Sequence, residues 1–335
     1  MGDNNTTSPN KGECRRSKSR DDRAKGSGTG LEAGRDRRWA AARNNGSATV
    51  GEGGLTRGEP WEGFYEKVAE WVDRLRFVSA VKRVADLWDA VTADWLGGQD
   101  VLPAALEPWF ASYSGRGAGR VTREAFAEPY IGDLRGTPRF VTLGLNPGQA
   151  VLGFQARDGI FAKAIREAGS YSAWAASQPY LGETWTPVHG RNRYATARLR
   201  FARGWLADPD LAPSELLTFE LYPWHSTRVT APILPPKDIV EDFVWQPLAE
   251  IPVEVVFAFG KPWLGACQAL GLPERGRWGH GGQDFGSPVA SRTVVVFELP
   301  SGQSAIVLWQ SGYAGPPALD DAQRLRERLV AQRSR

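Results

Sequence analysis

Short apolar runs that break into turns, separated by stretches of helical periodicity, set the tightest limit on how this 335-residue chain can fold. RFVTLGL (139–145), SELLTFELY (214–222) and VEVVFAFG (253–260) each have the length and composition of one buried strand. Helices are expected between and after them at 159–168, 194–207 and 262–271, with another opened by Pro235-Pro236 and running to 250. TVVVFEL (293–299) and SAIVLWQ (304–310) flank Pro300-Ser301-Gly302-Gln303 and read as a hairpin. A last helix is expected over 317–333, carrying Leu319, Leu325 and Leu329. Such alternation predicts an α/β layer fold with a mostly parallel sheet.

Upstream, Phe64, Val68, Trp71, Val72 and Leu75 recur at three and four residues, and a second helical stretch at 78–96 presents Val81, Val84, Leu87, Trp88, Val91 and Trp95. These two helices read as an N-terminal cap, so the expected organisation is a tail (1–58), a helical cap (59–125) and an α/β domain (126–335). The tail carries a net charge of +5 within a chain total of +3, is rich in Gly, Ser and Arg, and has almost no aliphatic residues. It cannot bury enough apolar area to offset the entropy of ordering, so disorder is expected. A nucleic-acid tether and a solubilising extension both fit it.

Several function classes fall away. No apolar run approaches a membrane span, and MGDNNTTSPNKGE lacks the apolar core of a secretory signal, so a cytoplasmic protein with no membrane partner is expected. Cys14 and Cys267 cannot build a disulfide framework or an iron–sulfur cluster, and Cys267, in an expected helix, reads as core packing. His189, His225 and His280 are too scattered for a metal site by spacing, so neither metal nor cofactor is expected. GSGTGLEAG follows no strand, and neither GxxxxGK[ST] nor GxSxG occurs, which removes dinucleotide, P-loop and nucleophile-elbow chemistry. In parallel sheets ligands bind beyond the carboxyl ends of the strands. Here those ends are Asn146-Pro147-Gly148, Tyr222-Pro223-Trp224-His225-Ser226, Gly260-Lys261-Pro262 and Trp309-Gln310-Ser311-Gly312-Tyr313.

EPYIGDL (128–134), RFVTLGL with NPG directly after it, and ELYPWHS (220–226) resemble the uracil-DNA glycosylase superfamily, in particular bacterial members without an iron–sulfur cluster. Gly144-Leu145-Asn146-Pro147-Gly148 matches the Gly-x-Asn-Pro-Gly motif of the mismatch-specific and single-strand-selective branches. Glu220-Leu221-Tyr222-Pro223 resembles Asn-Leu-x-Pro. At the final motif, Asn-Pro-Ser-Gly-Leu-Ser, only Ser311-Gly312 is retained. The resemblance covers roughly residues 126–330. It implies a three-layer αβα fold and hydrolysis of the N-glycosidic bond of a base flipped out of single- or double-stranded DNA, by a monomer. A nucleic-acid or nucleobase-binding module without chemistry, and a hydrolase of free nucleosides, are the alternatives.

In that reading Asn146 positions the water, and an amide orients water better than it deprotonates it. Pro147 and Gly148 fix the turn and, with Gly144 and Leu145, line the base pocket. Phe154 or Phe161 supplies a stacking ring, with Phe154 preferred because it follows NPG. Trp309 or Gln310 stands where the family stabilises the leaving base, and Tyr313, beside Ser311 and Gly312, where a wedge fills the vacated stack. His225 could compensate as donor or acid, or satisfy a loop carbonyl. Lys261 is the only candidate for a Schiff base, and no motif supports it. His189, Arg191, Arg193, Arg198 and Arg200 crowd a loop and helix start that suit phosphate contacts, with Arg191 and Arg193 nearest the turn, or form a solvated basic face. Tyr171, Trp174, Tyr180 and Trp185 could stack on single strands or close the core of an insertion.

Glu220 is the informative departure, because the family has Asn there. An ionised carboxylate only accepts hydrogen bonds, so it repels uracil O4 and suits an amino-bearing base. A protonated Glu220 would instead imitate the amide, and a structural pairing with a nearby Arg is the third expectation.

Overall fold

The computed structural model of the protein describes residues 79–100, 102–113, 119–229, 234–279, 292–310, 314–317, 322–327 and 329. The basic tail, the first expected helix, His280 and the wedge loop Ser311-Gly312-Tyr313 lie outside the described residues, as does most of the expected last helix.

Seven strands form one mixed sheet: β1 Tyr130–Ile131, β2 Phe140–Gly144, β3 Leu216–Glu220, β4 Val255–Phe259, β5 Glu274–Trp278, β6 Arg292–Glu298 and β7 Ser304–Gln310. Their spatial order is β1-β3-β2-β4-β7-β6-β5. The central four, β3, β2, β4 and β7, run parallel. Both edges are antiparallel, β1 against β3 on one side and β6 and β5 beyond β7 on the other. The expected hairpin is the β6–β7 pair, with Val295 opposite Val307. A loop this short cannot make the crossover that parallel pairing needs, so this edge of the sheet turns antiparallel.

The helices are α1 Ala80–Leu96, α2 Glu107–Ser112, α3 Leu152–Gln155, α4 Ile160–Ala168, α5 Tyr171–Ala176, α6 Thr186–His189, α7 Arg193–Leu206, α8 Lys237–Val240, α9 Gln246–Glu250 and α10 Lys261–Ala269. A π-helical turn, Glu241–Trp245, joins α8 to α9. Pro247 has no N–H to give the carbonyl of Phe243, so the regular ladder is interrupted there.

Strand residues alternate between two cores, as period-2 geometry requires. Val141, Leu143, Leu217, Phe219, Val256 and Val307 pack with Val84 and Trp88 of α1, Trp109 of α2 and Trp263 of α10. Phe140, Leu216, Phe257, Phe259, Ile306 and Leu308 pack with Leu199, Phe201 and Ala202 of α7. The described part of the expected cap therefore shares its core with the sheet, and the Trp109 indole donates to Leu221 O at 2.8 Å.

On the α7 face, cross-strand pairs of β2 and β3 grade from apolar to polar: Phe140 with Leu216, Thr142 with Thr218, then Gly144 with Glu220. The two threonine hydroxyls bond each other at 2.7 Å. The polar end of this gradient is the carboxyl end of the strands. Crossovers also reverse direction there, since β3 lies on one side of β2 and β4 on the other, and ligands favour such switch points.

Candidate functional site

A cavity of about 560 Å³ opens beyond the ends of all four parallel strands, within the size range of small-molecule sites. Leu145, Asn146, Pro147 and Gly148 follow β2, Glu220 ends β3, Gly260 and Lys261 follow β4, and Gln310 ends β7. Asn192, Tyr194, Ala195 and Arg198 complete the wall from α7 and its cap. Scattered over the sequence, these residues meet because parallel strands deliver every carboxyl end to one edge.

The loop after β2 is strapped to the loop after β3. Leu221 N donates to Gly144 O at 3.0 Å, Tyr222 N to Leu145 O at 2.9 Å and Ser226 N to Gly148 O at 3.0 Å. The Trp263 indole adds a bond to Gly144 O at 2.8 Å. Gly148 takes φ +88°, a left-handed conformation that favours glycine. Asn146 is held from one end only: Nδ2 donates to Ser226 O at 2.9 Å and to Ser226 Oγ at 3.1 Å. The carbonyl acceptor fixes which way the amide faces. Oδ1 is left as an acceptor with no hydrogen bond among the described residues, in a half-buried side chain that lines the cavity.

Glu220 is 5 % exposed. Its Oε1 accepts from Arg198 Nη1 at 2.9 Å, while Oε2 is buried with no hydrogen-bond partner among the described residues. Burial pushes the carboxyl pKa up, and the Arg198 charge and hydrogen bond offset part of that rise. Arg198 Nη2 and Glu220 Oε2 each lie 2.2 Å from where a Cβ on Gly144 would stand, so the pair occupies the space a side chain would take. The structural pairing with an arginine is thus present, and it engages one carboxylate oxygen of two.

Other expected site residues are placed differently. His225 is 1 % exposed and stands behind the Asn-Pro-Gly loop, away from the cavity wall. Its Nδ1 meets Gly148 O at 3.2 Å, so it serves a loop carbonyl, and Nε2 lies 3.2 Å from Glu128 Oε1 without hydrogen-bond alignment. Phe154 is buried in an aromatic cluster against Phe161, Trp185 and His189, not in the cavity wall. Tyr171, Trp174 and Trp185 are buried in the core around it. Arg191 and Arg193 are exposed beside Asn192 at the start of α7. Gln310 lines the cavity, and Lys261 lies 5.6 Å from the Trp309 ring centroid. Cys267 is buried in α10, its thiol pushed up to about 12 by burial.

No protein-family model matches the chain, and no curated protein matches it at a significant level. Its chemistry is therefore read from the cavity alone. Asn146 and Glu220, each with one side-chain oxygen that has no hydrogen-bond partner among the described residues, line a space shared with Arg198, Arg228 and Lys261, and Glu220 Oε2 itself is buried. Among the described residues no cluster of three or more His, Cys, Asp or Glu side chains could hold a metal ion, and no helix is long and apolar enough to cross a membrane.

The sequence reading missed Ser226 as the anchor of Asn146, Arg198 as the partner of Glu220, and Tyr194 as part of the wall; of the aromatic residues it offered for stacking, Tyr180 lines the cavity. The Tyr180 hydroxyl donates to Glu128 at 2.6 Å and accepts from Gln155 at 2.7 Å. Burial, then the neighbouring Glu128 charge, raises its pKa well above the ordinary value, which keeps it protonated as a donor. One signal for Arg198 was present: it falls three residues after Ala195 and four before Ala202, on the inward stripe of α7.

Proposed function

We propose that the protein is a DNA glycosylase of the uracil-DNA glycosylase type, built on a three-layer αβα sheet and acting on a nucleotide swung out into the cavity. Water on Asn146 Oδ1 attacks C1′ of the sugar. The C1′–N bond breaks with its electron pair leaving on the base, the water oxygen bonds C1′, and the water's proton passes to the departing base or to solvent. The sugar develops positive charge and the base negative charge; Lys261 supplies positive field for the latter and Arg198, its charge offset by Glu220, a hydrogen-bond donor. Exposed Arg191 and Arg193, which flank the wall residues Asn192 and Tyr194 in sequence, suit the phosphates on either side of the extruded nucleotide.

One observation carries this reading: the Asn146 amide, on a side chain that lines the cavity at the turn after β2, is tied by its nitrogen to Ser226, leaving its oxygen without a hydrogen bond among the described residues. An acceptor fixed in this way orients a water without reorganisation during the reaction.

The test is a screen of single- and double-stranded oligonucleotides carrying deaminated, damaged or modified bases, read as alkali-sensitive strand breaks. Abasic sites are expected with the wild-type protein and a drop of about 10²-fold or more in Asn146→Ala, the scale of a lost positioning group. Salt-dependent oligonucleotide binding that never yields an abasic site would instead establish a binding module. Cleavage of free nucleosides without oligonucleotide affinity would make the protein a nucleoside hydrolase.

A further inference from the structure

Glu220 lines the cavity, and its buried Oε2 is the polar atom there that most requires a partner. A buried carboxylate oxygen without a donor is costly to leave unsatisfied, and its twin is already engaged by Arg198. Above Gly144 that oxygen and Arg198 Nη2 are neighbours, an acceptor beside a donor, on two side chains that line the cavity.

We infer that the cavity selects an amino-bearing heterocycle of the cytosine type, whose exocyclic amine donates to Glu220 Oε2 while the adjacent ring nitrogen accepts from Arg198. This deepens the proposed function and rests on a nucleobase entering the cavity. The 2.9 Å ion pair with Arg198 favours the carboxylate form of Glu220; a carboxylate only accepts and a guanidinium only donates, so the complementary edge carries N–H next to a lone pair. Cytosine N4 and N3 have that order. Uracil also has a ring N–H beside a carbonyl, but its N–H lies between two carbonyls. Set against this pair, one carbonyl faces Arg198 and the other is driven toward the carboxylate. Dialkylating the amine removes both N–H groups and leaves the rest of the ring in place.

Titration calorimetry of the full chain with cytidine, uridine and N4,N4-dimethylcytidine tests this without requiring catalysis. Cytidine is expected to bind about tenfold or more tightly than either of the others, the factor a hydrogen bond to a charged group supplies. Glu220→Gln, checked for folding by circular dichroism, should erase the preference. The dimethyl comparison uses wild-type protein alone and so does not depend on how that variant folds. Uridine binding as tightly as cytidine, dimethylation without effect, or no binding of any nucleoside would each overturn the inference. Abasic sites at uracil without a cytidine preference would leave the glycosylase reading standing and sink this one. A cytidine preference without abasic sites on any oligonucleotide would do the reverse.

Discussion

Gly144 ties the sheet to the cavity through the absence of one carbon atom. A Cβ there would stand 2.2 Å from both Arg198 Nη2 and Glu220 Oε2. Both atoms end side chains that line the cavity, so they can shift, but only by disturbing the ion pair between them. Gly144→Ala is expected to destabilise the fold by about 1 kcal/mol, the low end of overpacking because only side-chain ends must move, and to weaken ligand binding as the ion pair is pushed apart. A lower urea midpoint at unchanged slope, with weaker binding, is the expected result. An unchanged midpoint would mean the pair is looser than its geometry implies. Gly144, Asn146 and Glu220 were legible as site residues because a strand that ends in a turn places its last side chains at the sheet's edge. Arg198 was harder to pick out among the arginines of α7, since only its spacing from Ala195 and Ala202 marked it as facing inward. Phe154 misled for a related reason: its place in a loop sequence suggested access, while α3 turns the ring into the aromatic cluster.

The central strands and long helices stood out in the sequence because their burial is continuous or periodic. The edges did not. β1 is two residues long and has no period to read, and β5, ERGRW, carries exposed Glu274, Arg275 and Arg277 with an irregular register beside Gly276. Charge on an edge strand protects it from pairing with other chains and conceals it from pattern reading. Long-range capping is equally invisible. The first turn of α1 is closed by Glu250, at the far end of α9, whose Oε1 accepts from Ala80 N at 2.6 Å and whose Oε2 accepts from Val81 N at 3.2 Å and from the Ser79 hydroxyl. Burial pushes this carboxyl up, but the Ser79, Ala80 and Val81 donors outweigh it and hold the pKa below the ordinary 4.5. A depressed carboxyl contributes stability above its unfolded value and loses it as pH falls through the folded one. Glu250→Gln should therefore lower stability by about 0.5–1 kcal/mol at pH 7, the low end of capping effects for an exposed side chain. The gap to wild type should close as the pH falls below 4.5. Melting curves of both proteins across that range check it, and a gap independent of pH would point to packing in place of charge.

Over the whole molecule, net charge says little about DNA. The chain totals +3, the first 58 residues hold +5, and the remainder is −2. Any affinity of the folded body for a polyanion must come from where its cations stand. Arg191 and Arg193 are exposed and flank the wall residues Asn192 and Tyr194 in sequence, with no ion pair among the described residues. Arg275 and Arg277, on edge strand β5, are bonded to Glu298 and Glu274. These two pairs allow a controlled comparison, because each double alanine variant removes the same formal charge. If phosphates are held at the mouth, Arg191→Ala/Arg193→Ala should flatten the dependence of log K on log salt by about 0.7 per lost contact on single strands and about 0.9 on duplex. Arg275→Ala/Arg277→Ala should leave that slope near the wild-type value. Nucleoside affinity should survive both changes, since neither pair touches the cavity wall. Equal flattening by the two variants would mean that the body binds DNA by diffuse charge, and the extruded nucleotide would then have no fixed strand from which to enter the cavity.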